Sequence, residues 1–228
     1  MGWAARITRR FVDVESADSA SSRRRQRRWQ ELAARFPQLG DMHVLDLGGT
    51  AASWRLSPVQ PASLTLLNTF DQSSDVEVIV GDACEPPTSL DGRRFDLVYA
   101  NSVIEHVGGH YRREQFAETV HKLGDHHWVQ TPNRYFPIEP HFLCPGLQYL
   151  PLPLATRVAI HWPVGNYAGL ISEPAIAADR VQEIDLLGMS QMRFYFPGSE
   201  IVRERVGPLT KSLIACMAPD RLQGPYPG

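Results

Sequence analysis

The chain has 228 residues, a net charge of −2 at neutral pH, 43% hydrophobic residues and 21% charged residues. This composition is typical of a globular protein and excludes collagen-like, disordered and disulfide-scaffold classes. The three cysteines, Cys84, Cys144 and Cys216, show no C-x-x-C spacing, which predicts a reduced compartment and no structural zinc site. Prolines interrupt the uncharged stretches, and acidic residues follow the first arginines, so we expect neither a membrane-spanning helix nor a signal peptide, and a cytoplasmic location.

The start of the chain is basic, whereas the remainder is acidic. Residues 1–28 contain eight arginines and three acidic residues, and most of these arginines lie in the run Arg23–Arg28. We expect a helix over 21–36 that turns Trp29 and Leu32 to the body and exposes the arginines to solvent. Binding of the run to nucleic acid or to a membrane surface is the less favoured reading, because the sequence shows no other basic surface that continues it.

From His43 onward, short apolar runs alternate with turn signals. Runs of this length without strict apolar and polar alternation are typical of parallel strands that are covered on both faces. The predicted strands are 43–47, 64–68, 76–80, 96–100, 128–131, 200–206 and 212–217. Helices are predicted over 112–123 and 174–187, with a short one between Ser190 and Pro197, and the proline-rich stretch 132–174 is not expected to form sheet.

Several of the predicted strands end in glycine or polar residues. In an open parallel sheet the carboxyl ends of the strands line a ligand crevice, and glycines there let main-chain N–H groups approach the ligand. The residues concerned are Asp46, Gly48, Gly49 and Thr50 at the first strand, Asn68 at the second, Asp82 and Ala83 at the third, and Asn101 and Ser102 at the fourth. We therefore expect a ligand site along this edge of the sheet.

In this order and spacing, the segments V-L-D-L-G-G-T, V-I-V-G-D-A and Phe95 to Val107 resemble those of the class I S-adenosylmethionine-dependent methyltransferases, particularly small proteins similar to the type 11 methyltransferase family. The resemblance covers 44–131 well and the two closing strands loosely. It implies an α/β, Rossmann-like domain with a seven-stranded, mostly parallel sheet, flanking helices and an antiparallel last strand.

On this basis we expect one methyltransferase domain over 1–228. Its predicted parts are an N-terminal helical cap (1–40), a cofactor-binding core (41–131), a substrate cover (132–198) and closing strands (199–218).

The resemblance implies S-adenosyl-L-methionine as the cofactor and an oxygen or nitrogen of a small molecule, such as a glycosylated or apolar metabolite, as the methyl acceptor. The glycine-rich loop would lie beneath the methionine part of the cofactor, and Asn68 stands where an acid usually binds the ribose hydroxyls. Asp82 and Ala83 would contact the adenine. Asn101 and Ser102 would lie beside the amino group and the methyl donor.

Three departures from the family pattern are visible. Thr50 and Ala52 replace glycines of the D-x-G-x-G-x-G motif, Asn68 carries no charge, and the stretch 69–75 is too short for the helix of a normal parallel crossover.

Three different functions also fit parts of this pattern. One is a nicotinamide enzyme, although no G-x-G-x-x-G is present. The second is a non-catalytic protein that binds the same cofactor, and the third is an RNA-modifying methyltransferase recruited by the arginine run. The oligomeric state stays open.

Three side chains are candidate catalytic residues on the acceptor side. His106 is expected at the start of the helix after the fourth strand, and Glu139 and His141 follow the fifth strand in a proline-rich run. Residues two apart in an extended chain point to the same side, so Glu139 and His141 can face one acceptor together. Histidine suits a general base at neutral pH, and similar P-N-x-x-x-P-x-E-x-H runs occur in the related small methyltransferases.

No metal site is predicted from the histidine spacing. His106 and His110 are four residues apart, but Gly108 and Gly109 break the helix that would bring them to one ion. The apolar segment 142–171 could be a lid over the substrate, an oligomer contact or a membrane-surface patch, of which we favour the lid.

Overall fold

The computed structural model describes residues 20–167 and 173–219, and a seven-stranded sheet lies at its centre. The strands in chain order are β1 (His43–Leu47), β2 (Ser63–Asn68), β3 (Glu77–Val80), β4 (Phe95–Asn101), β5 (Gly124–Pro132), β6 (Ile138–Glu139), β7 (Cys144–Pro145), β8 (Glu200–Val206) and β9 (Leu209–Met217). The sheet order is β3-β2-β1-β4-β5-β9-β8, and β6 pairs only with β7. Strands β1 to β5 are parallel, whereas β9 is antiparallel to both β5 and β8. The predicted fold class, including the antiparallel last strand, is confirmed.

The described residues also form helices, some of which cover the two faces of the sheet. They are α1 (Ala20–Arg35), α2 (Ala51–Trp54), α3 (His110–Leu123), α4 (Leu152–His161), α5 (Pro174–Gln182) and α6 (Met189–Tyr195), with short 3₁₀ turns at Leu39–Asp41, Thr88–Leu90 and Leu147–Tyr149. Among the described residues, no helix combines the length and the apolar character needed to cross a membrane.

The two faces of β4 show why helices cover both sides of the sheet. Successive strand residues point to opposite faces, and the strand is apolar on each of them. Leu97 and Tyr99 pack with α1 and the short α2, while Val98 and Ala100 pack with α3 and α6. Burying a large apolar side chain in this way contributes about 1.5 to 3 kcal/mol, so α1 is an integral part of the core.

The stretch 132–174 differs from the prediction. It contains the two-residue ribbon β6–β7 and the helix α4, so the expectation that it holds no sheet is wrong at this small scale. Prolines keep the ribbon short because they cannot donate to a ladder. The segment also forms a separate small core with α5, made of Phe142, Cys144, Leu147, Ala155, Ala159 and Ala177.

A helix boundary also differs from the sequence prediction. The helix expected over 174–187 ends at Gln182, since the following residues bond to other loops: Asp185 N donates to Glu105 O at 2.9 Å, and Leu187 O accepts from Arg134 N at 3.0 Å. In addition, residues 1–19 of the predicted cap and 168–172 of the predicted cover lie outside the described residues.

Candidate active site

The glycine-rich loop after β1 is built around a buried carboxylate. Asp46 is fully buried and accepts the indole N–H of Trp54 at 2.7 Å. Gly48 adopts φ +83°, and a Cβ on Gly49 would lie 1.7 Å from Asp46 Oδ2, so both positions require glycine. Thr50 then caps α2, since its Oγ1 accepts from Ser53 N at 3.3 Å. Burial raises the pKa of Asp46 to about 7, although Trp54 and the Gly49 N–H oppose the shift.

Asn68, at the end of β2, holds this loop in place. Its Nδ2 donates to Gly49 O at 2.8 Å, and Gln72 Nε2 donates to the same oxygen at 3.2 Å. Asn68 is buried, and one of its two amide hydrogens serves the loop, which leaves Oδ1 and the second hydrogen for other partners. The role in holding the loop was not foreseen from the sequence, and the ribose contact stays a prediction.

Asp82, after β3, is a half-exposed carboxylate with two partners. Oδ1 accepts from Cys84 N at 2.8 Å, and Oδ2 forms a salt bridge with Arg112. Burial alone would raise its pKa, but the Cys84 N–H and Arg112 outweigh that effect and lower it. Asp82 is therefore an anion at neutral pH. Ala83 beside it packs against the core.

At the end of β4, Arg28 reaches the predicted site from α1. Its Nη1 donates to Asn101 Oδ1, and at 3.3 Å to Gln130 Oε1. The Ser102 hydroxyl donates to the same Gln130 oxygen at 3.1 Å. Arg28 also forms a two-point ion pair with Glu204. The expectation that the arginines form a solvated face is therefore wrong for Arg28, whose position depends on a partner 176 residues away.

Basic residues far along the chain extend the surface that the arginine run forms, although the sequence predicted no such extension. The α1 arginines and the β8–β9 hairpin line one cavity, which we call the basic cavity. Its lining residues are Arg24, Arg27, Arg28, Glu31, Arg203, Glu204, Arg205, Val206 and Lys211. Burial, together with Arg24 and Arg28, lowers the pKa of Lys211 to about 8. Strand residues far along the chain thus complete a basic surface that linear inspection does not reveal.

A second cavity, which we call the glycine-loop cavity, opens above β1 and β4. It is lined by Arg25, Arg28, Trp29, Asp46, Gly48, Gly49, Thr50, Ser53, Tyr99 and Asn101. The structure thus brings the residues predicted at the first and fourth strand ends to one cavity. Asn68 reaches that lining through its hydrogen bond to Gly49, and Ser102 is linked to it only through Gln130, which also accepts from Arg28. Asp82 and Ala83 are not among its described lining residues.

The predicted catalytic residues form a second cluster. His106 Nε2 lies 3.1 Å from His141 Nε2, and His141 Nδ1 lies 2.7 Å from Glu139 Oε1. The other oxygen of Glu139 accepts from Phe142 N at 2.6 Å. Glu139 is buried behind His141, so the expectation that both face one acceptor is wrong and only the imidazole is presented. In the neutral imidazole, a carboxylate that accepts from Nδ1 leaves the lone pair of His141 on Nε2.

The electrostatics of the two imidazoles differ. Burial lowers the pKa of His106, and the facing His141 lowers it further. For His141, burial acts in the same direction, but the hydrogen bond and charge of Glu139 outweigh it and raise the pKa. His106 lies in the turn before α3 and not at the helix start as predicted, because Gly108 adopts φ +109° and the helix begins at His110.

Glu105 belongs to the same cluster, although no sequence pattern assigned it a role. It is fully buried, and its Oε2 accepts from the Thr131 hydroxyl at 2.9 Å. Its Oε1 is buried and has no hydrogen-bond partner at normal length and angle among the described residues, although the Glu105 N–H and the Ser102 hydroxyl lie close enough to the carboxylate to oppose the rise in its pKa. Burial is the main reason that the pKa of Glu105 is raised. A buried carboxylate oxygen without a partner is rare in folded proteins.

The glycine loop and the histidine cluster occupy the same edge of the sheet. A Cβ on Gly48 would lie 2.7 Å from Val103 Cγ2, and Val103 is two residues before Glu105. Thr131, which binds Glu105, is the last residue but one of β5, and β4 lies between β5 and β1. The cavity above the loop is therefore next to the cluster.

Comparison with known proteins supports the fold assignment. The chain matches no protein-family model and no curated protein. It is similar to N-methyltransferase NodS from Bradyrhizobium japonicum in complex with S-adenosyl-L-homocysteine, with a TM-score of 0.52 at 12% identity, covering 94% of this chain and 97% of that one. It is also similar to magnesium protoporphyrin IX methyltransferase ChlM from Synechocystis with the same ligand bound, with a TM-score of 0.51 at 11% identity over 94% of each chain.

A third similar structure carries a different name. A Rhodobacter sphaeroides protein provisionally named as a Zn-dependent alcohol dehydrogenase gives a TM-score of 0.52 at 12% identity, covering 82% of this chain and 88% of that one. With the strand order above, these likenesses show that the chain has the fold of the class I S-adenosylmethionine-dependent methyltransferases. At such identities they establish the fold alone, and membership of the type 11 family stays a prediction.

Proposed function

We propose that the chain is an S-adenosylmethionine-dependent methyltransferase that acts on an oxygen or nitrogen of a small molecule. The observation that carries the proposal is the adjacency of the glycine-loop cavity and the histidine cluster at the carboxyl ends of β1, β4 and β5. In this fold, ligands bind at that edge. The bound ligand in the NodS and ChlM structures supports the same choice of cofactor.

The residues of the cavity fit this cofactor. Gly48 and Gly49 leave room for close main-chain approach, and Asp46 Oδ1 is buried with no hydrogen-bond partner at normal length and angle among the described residues, so it can accept from an amino group. Arg25 and Arg28 line the same cavity and can pair with a carboxylate. Asp82 supplies an anionic acceptor after β3. When bound, the cofactor supplies an electrophilic methyl group on a sulfonium.

The chain's own task is then to align the acceptor and to take its proton. Displacement at a methyl group needs in-line alignment, which a fixed site supplies by positioning. Glu139 accepts from His141 Nδ1 and fixes the ring, which leaves Nε2 to accept a proton from the acceptor. His106 borders the same position. We propose His141 and His106 as the catalytic residues and Glu139 as the positioning residue.

The basic cavity favours a second candidate function, methylation of RNA. Several arginines and Lys211 line one cavity beside Arg28, which also lines the glycine-loop cavity. Binding through such a surface would weaken steeply with salt, because each neutralised phosphate releases counterions. A binding constant for single-stranded RNA that hardly changes between about 50 and about 200 mM salt, the range over which such contacts normally respond, would remove this candidate.

Methyl transfer can be tested directly with the cofactor labelled on its methyl group and incubated with fractionated host metabolites. We expect label in one small-molecule fraction, and much less with the His141→Ala variant. His161→Ala is the matched control, since this imidazole is exposed and, among the described residues, bonds to the Arg157 carbonyl of its own helix alone. Cofactor binding without label in any fraction would instead support a non-catalytic, cofactor-binding protein.

A further inference from the structure

We propose that Glu105, His106 and His141 bind a divalent first-row transition metal ion at the acceptor end of the site. The binding itself is argued from the side chains alone, while the role given to the metal rests on the proposed function. One nitrogen from each imidazole and one carboxylate oxygen lie within 4.8 Å of one another.

The spacing of the imidazole nitrogens suits two ligands of one ion. His106 Nε2 and His141 Nε2 are 3.1 Å apart. Metal–nitrogen bonds of about 2.0 to 2.1 Å place two such ligands roughly 3.0 Å apart at a right angle and roughly 3.4 Å apart at a tetrahedral angle. The observed separation lies between these values. The ligand atoms lie as far as 4.8 Å apart, so the carboxylate needs a shift of about 1.5 Å to reach the same spacing, which a side-chain rotation provides.

The outer partners of the histidines also match a metal site. A ligating histidine normally donates its other ring N–H to a carboxylate or a main-chain carbonyl, which fixes the ring and its tautomer. His141 has this arrangement with Glu139 at 2.7 Å, and Phe142 N in turn fixes Glu139. For His106, the corresponding partner is the main chain of Glu183.

Glu105 supplies the independent observation. Thr131 holds Oε2, while Oε1 is buried and has no hydrogen-bond partner at normal length and angle among the described residues. The nearby Ser102 hydroxyl donates its proton to Gln130. No lysine or arginine within 20–167 and 173–219 forms a salt bridge with this carboxylate. Buried charges are normally paired or coordinate metals, and an ion between the two imidazoles would give Oε1 the partner that it lacks.

Two imidazoles and one carboxylate select the kind of metal. Zn²⁺ binds such sets with a further position open, and the same combination binds Fe²⁺, whereas Mg²⁺ and Ca²⁺ prefer oxygen ligands. His106 is exposed, so the open positions would face solvent and the acceptor. Sequence spacing relates His106 to His110, whereas the fold pairs it with His141.

The metal would change how the acceptor is activated. An acceptor hydroxyl bound to the ion loses its proton to water more readily, as bound water does. The resulting oxygen anion forms the new O–C bond while the S–C bond breaks and its electron pair returns to sulfur. His141 would then be a ligand, and direct proton transfer to its Nε2 would belong only to the metal-free protein.

The test uses untagged full-length protein treated with a chelator and then titrated with Co²⁺. We expect saturation at one ion per chain with visible absorption bands of low-symmetry Co²⁺, and their loss on addition of stoichiometric Zn²⁺. His106→Ala and Glu105→Gln should each weaken binding by at least about 10-fold, and Glu139→Gln by about 10- to 100-fold, the range for such outer partners. The His161→Ala variant should bind Co²⁺ with the same affinity as the unchanged protein.

Circular dichroism of each variant controls for folding. Absence of saturable Co²⁺ bands, or bands that Glu105→Gln and His106→Ala both leave unchanged, would overturn the metal site. Calorimetric titration of the same metal-free protein with S-adenosylhomocysteine separates the two proposals. Cofactor binding without Co²⁺ binding removes only the metal, whereas Co²⁺ binding without cofactor binding leaves the metal site and removes the proposed function.

Discussion

The guanidinium of Arg28 and the carboxylate of Glu204 form a two-point ion pair, with Nε to Oε1 at 2.6 Å and Nη2 to Oε2 at 2.7 Å. Such paired, parallel contacts are the strongest form of this interaction. The remaining nitrogen, Nη1, donates to Asn101 and Gln130. The pair therefore joins α1 to β8 and to the ends of β4 and β5.

We predict that Arg28→Lys lowers the free energy of unfolding by about 1.5 to 3 kcal/mol, the scale of a hydrogen bond to a charged group, because lysine cannot reproduce the fork. Urea unfolding measures this effect. Arg27→Lys, at an exposed position of the same run, should change stability by less than about 0.5 kcal/mol. A double-mutant cycle with Glu204→Gln should show coupling, and strict additivity of the two changes would contradict the pairing.

Asp46 makes the free energy of unfolding fall as the pH rises, whereas most carboxylates in folded proteins have the opposite effect. Burial raises its pKa from 3.8 to about 7, so the folded state binds the proton more tightly than the unfolded state does. Its favourable contribution is complete below about pH 4 and is lost as the pH rises to about 7. We expect Asp46→Asn to remove about 2 to 3 kcal/mol of the stability difference between pH 5 and pH 8. Urea unfolding of both proteins at the two pH values tests this, and identical pH dependence would show that Asp46 is ionised throughout.

Asp82 is predicted to contact the adenosine part of the cofactor. We expect Asp82→Ala to weaken binding of S-adenosylhomocysteine by about 1 to 3 kcal/mol, the cost of leaving a group of the bound ligand without its hydrogen-bond partner. Because Arg112 shares this carboxylate, Arg112→Gln is the informative comparison and should not weaken binding as much. Unchanged affinity in a folded Asp82→Ala variant, measured by calorimetry, would place the adenosine elsewhere.

The histidine cluster leads to a kinetic prediction. His141→Ala should lower the single-turnover rate at saturating cofactor by roughly 10² to 10⁴, the range for loss of acid–base catalysis, and should hardly change cofactor affinity. Glu139→Gln should lower this rate less, because the imidazole of His141 remains while its orientation is less well fixed. Single turnover is needed because slow lid opening or product release could mask the chemical step.

A large loss of the single-turnover rate in the His106→Ala variant, with almost no loss in the His141→Ala variant, would reverse these roles. The segment after β5 would then only cover the site. If neither histidine matters, alignment alone would account for catalysis.

Local sequence signals were sufficient to predict many of the strands of the sheet. The bounds of β1 and β8 agree with the predicted 43–47 and 200–206, because apolar runs bounded by turn residues define them. The loop in place of a helix over 69–75 was also predicted, since so few residues cannot form a helical crossover.

Features that depend on distant partners were not predictable in this way. Arg28 is drawn inward by Glu204, and His106 meets His141 across 35 residues. The helix that begins at Pro174 ends early because the main chain of Asp185 bonds to Glu105. A single sequence records no pairing of this kind, whereas strand and turn signals are local.

Calorimetric titration with S-adenosylhomocysteine and with NAD tests the proposed function most directly, since both cofactor classes use a glycine loop after a first strand. We predict saturable binding of S-adenosylhomocysteine at one site per chain and no heat of binding with NAD. Saturable binding of NAD, with none of S-adenosylhomocysteine or S-adenosylmethionine, would contradict the assignment of this site to methyl transfer.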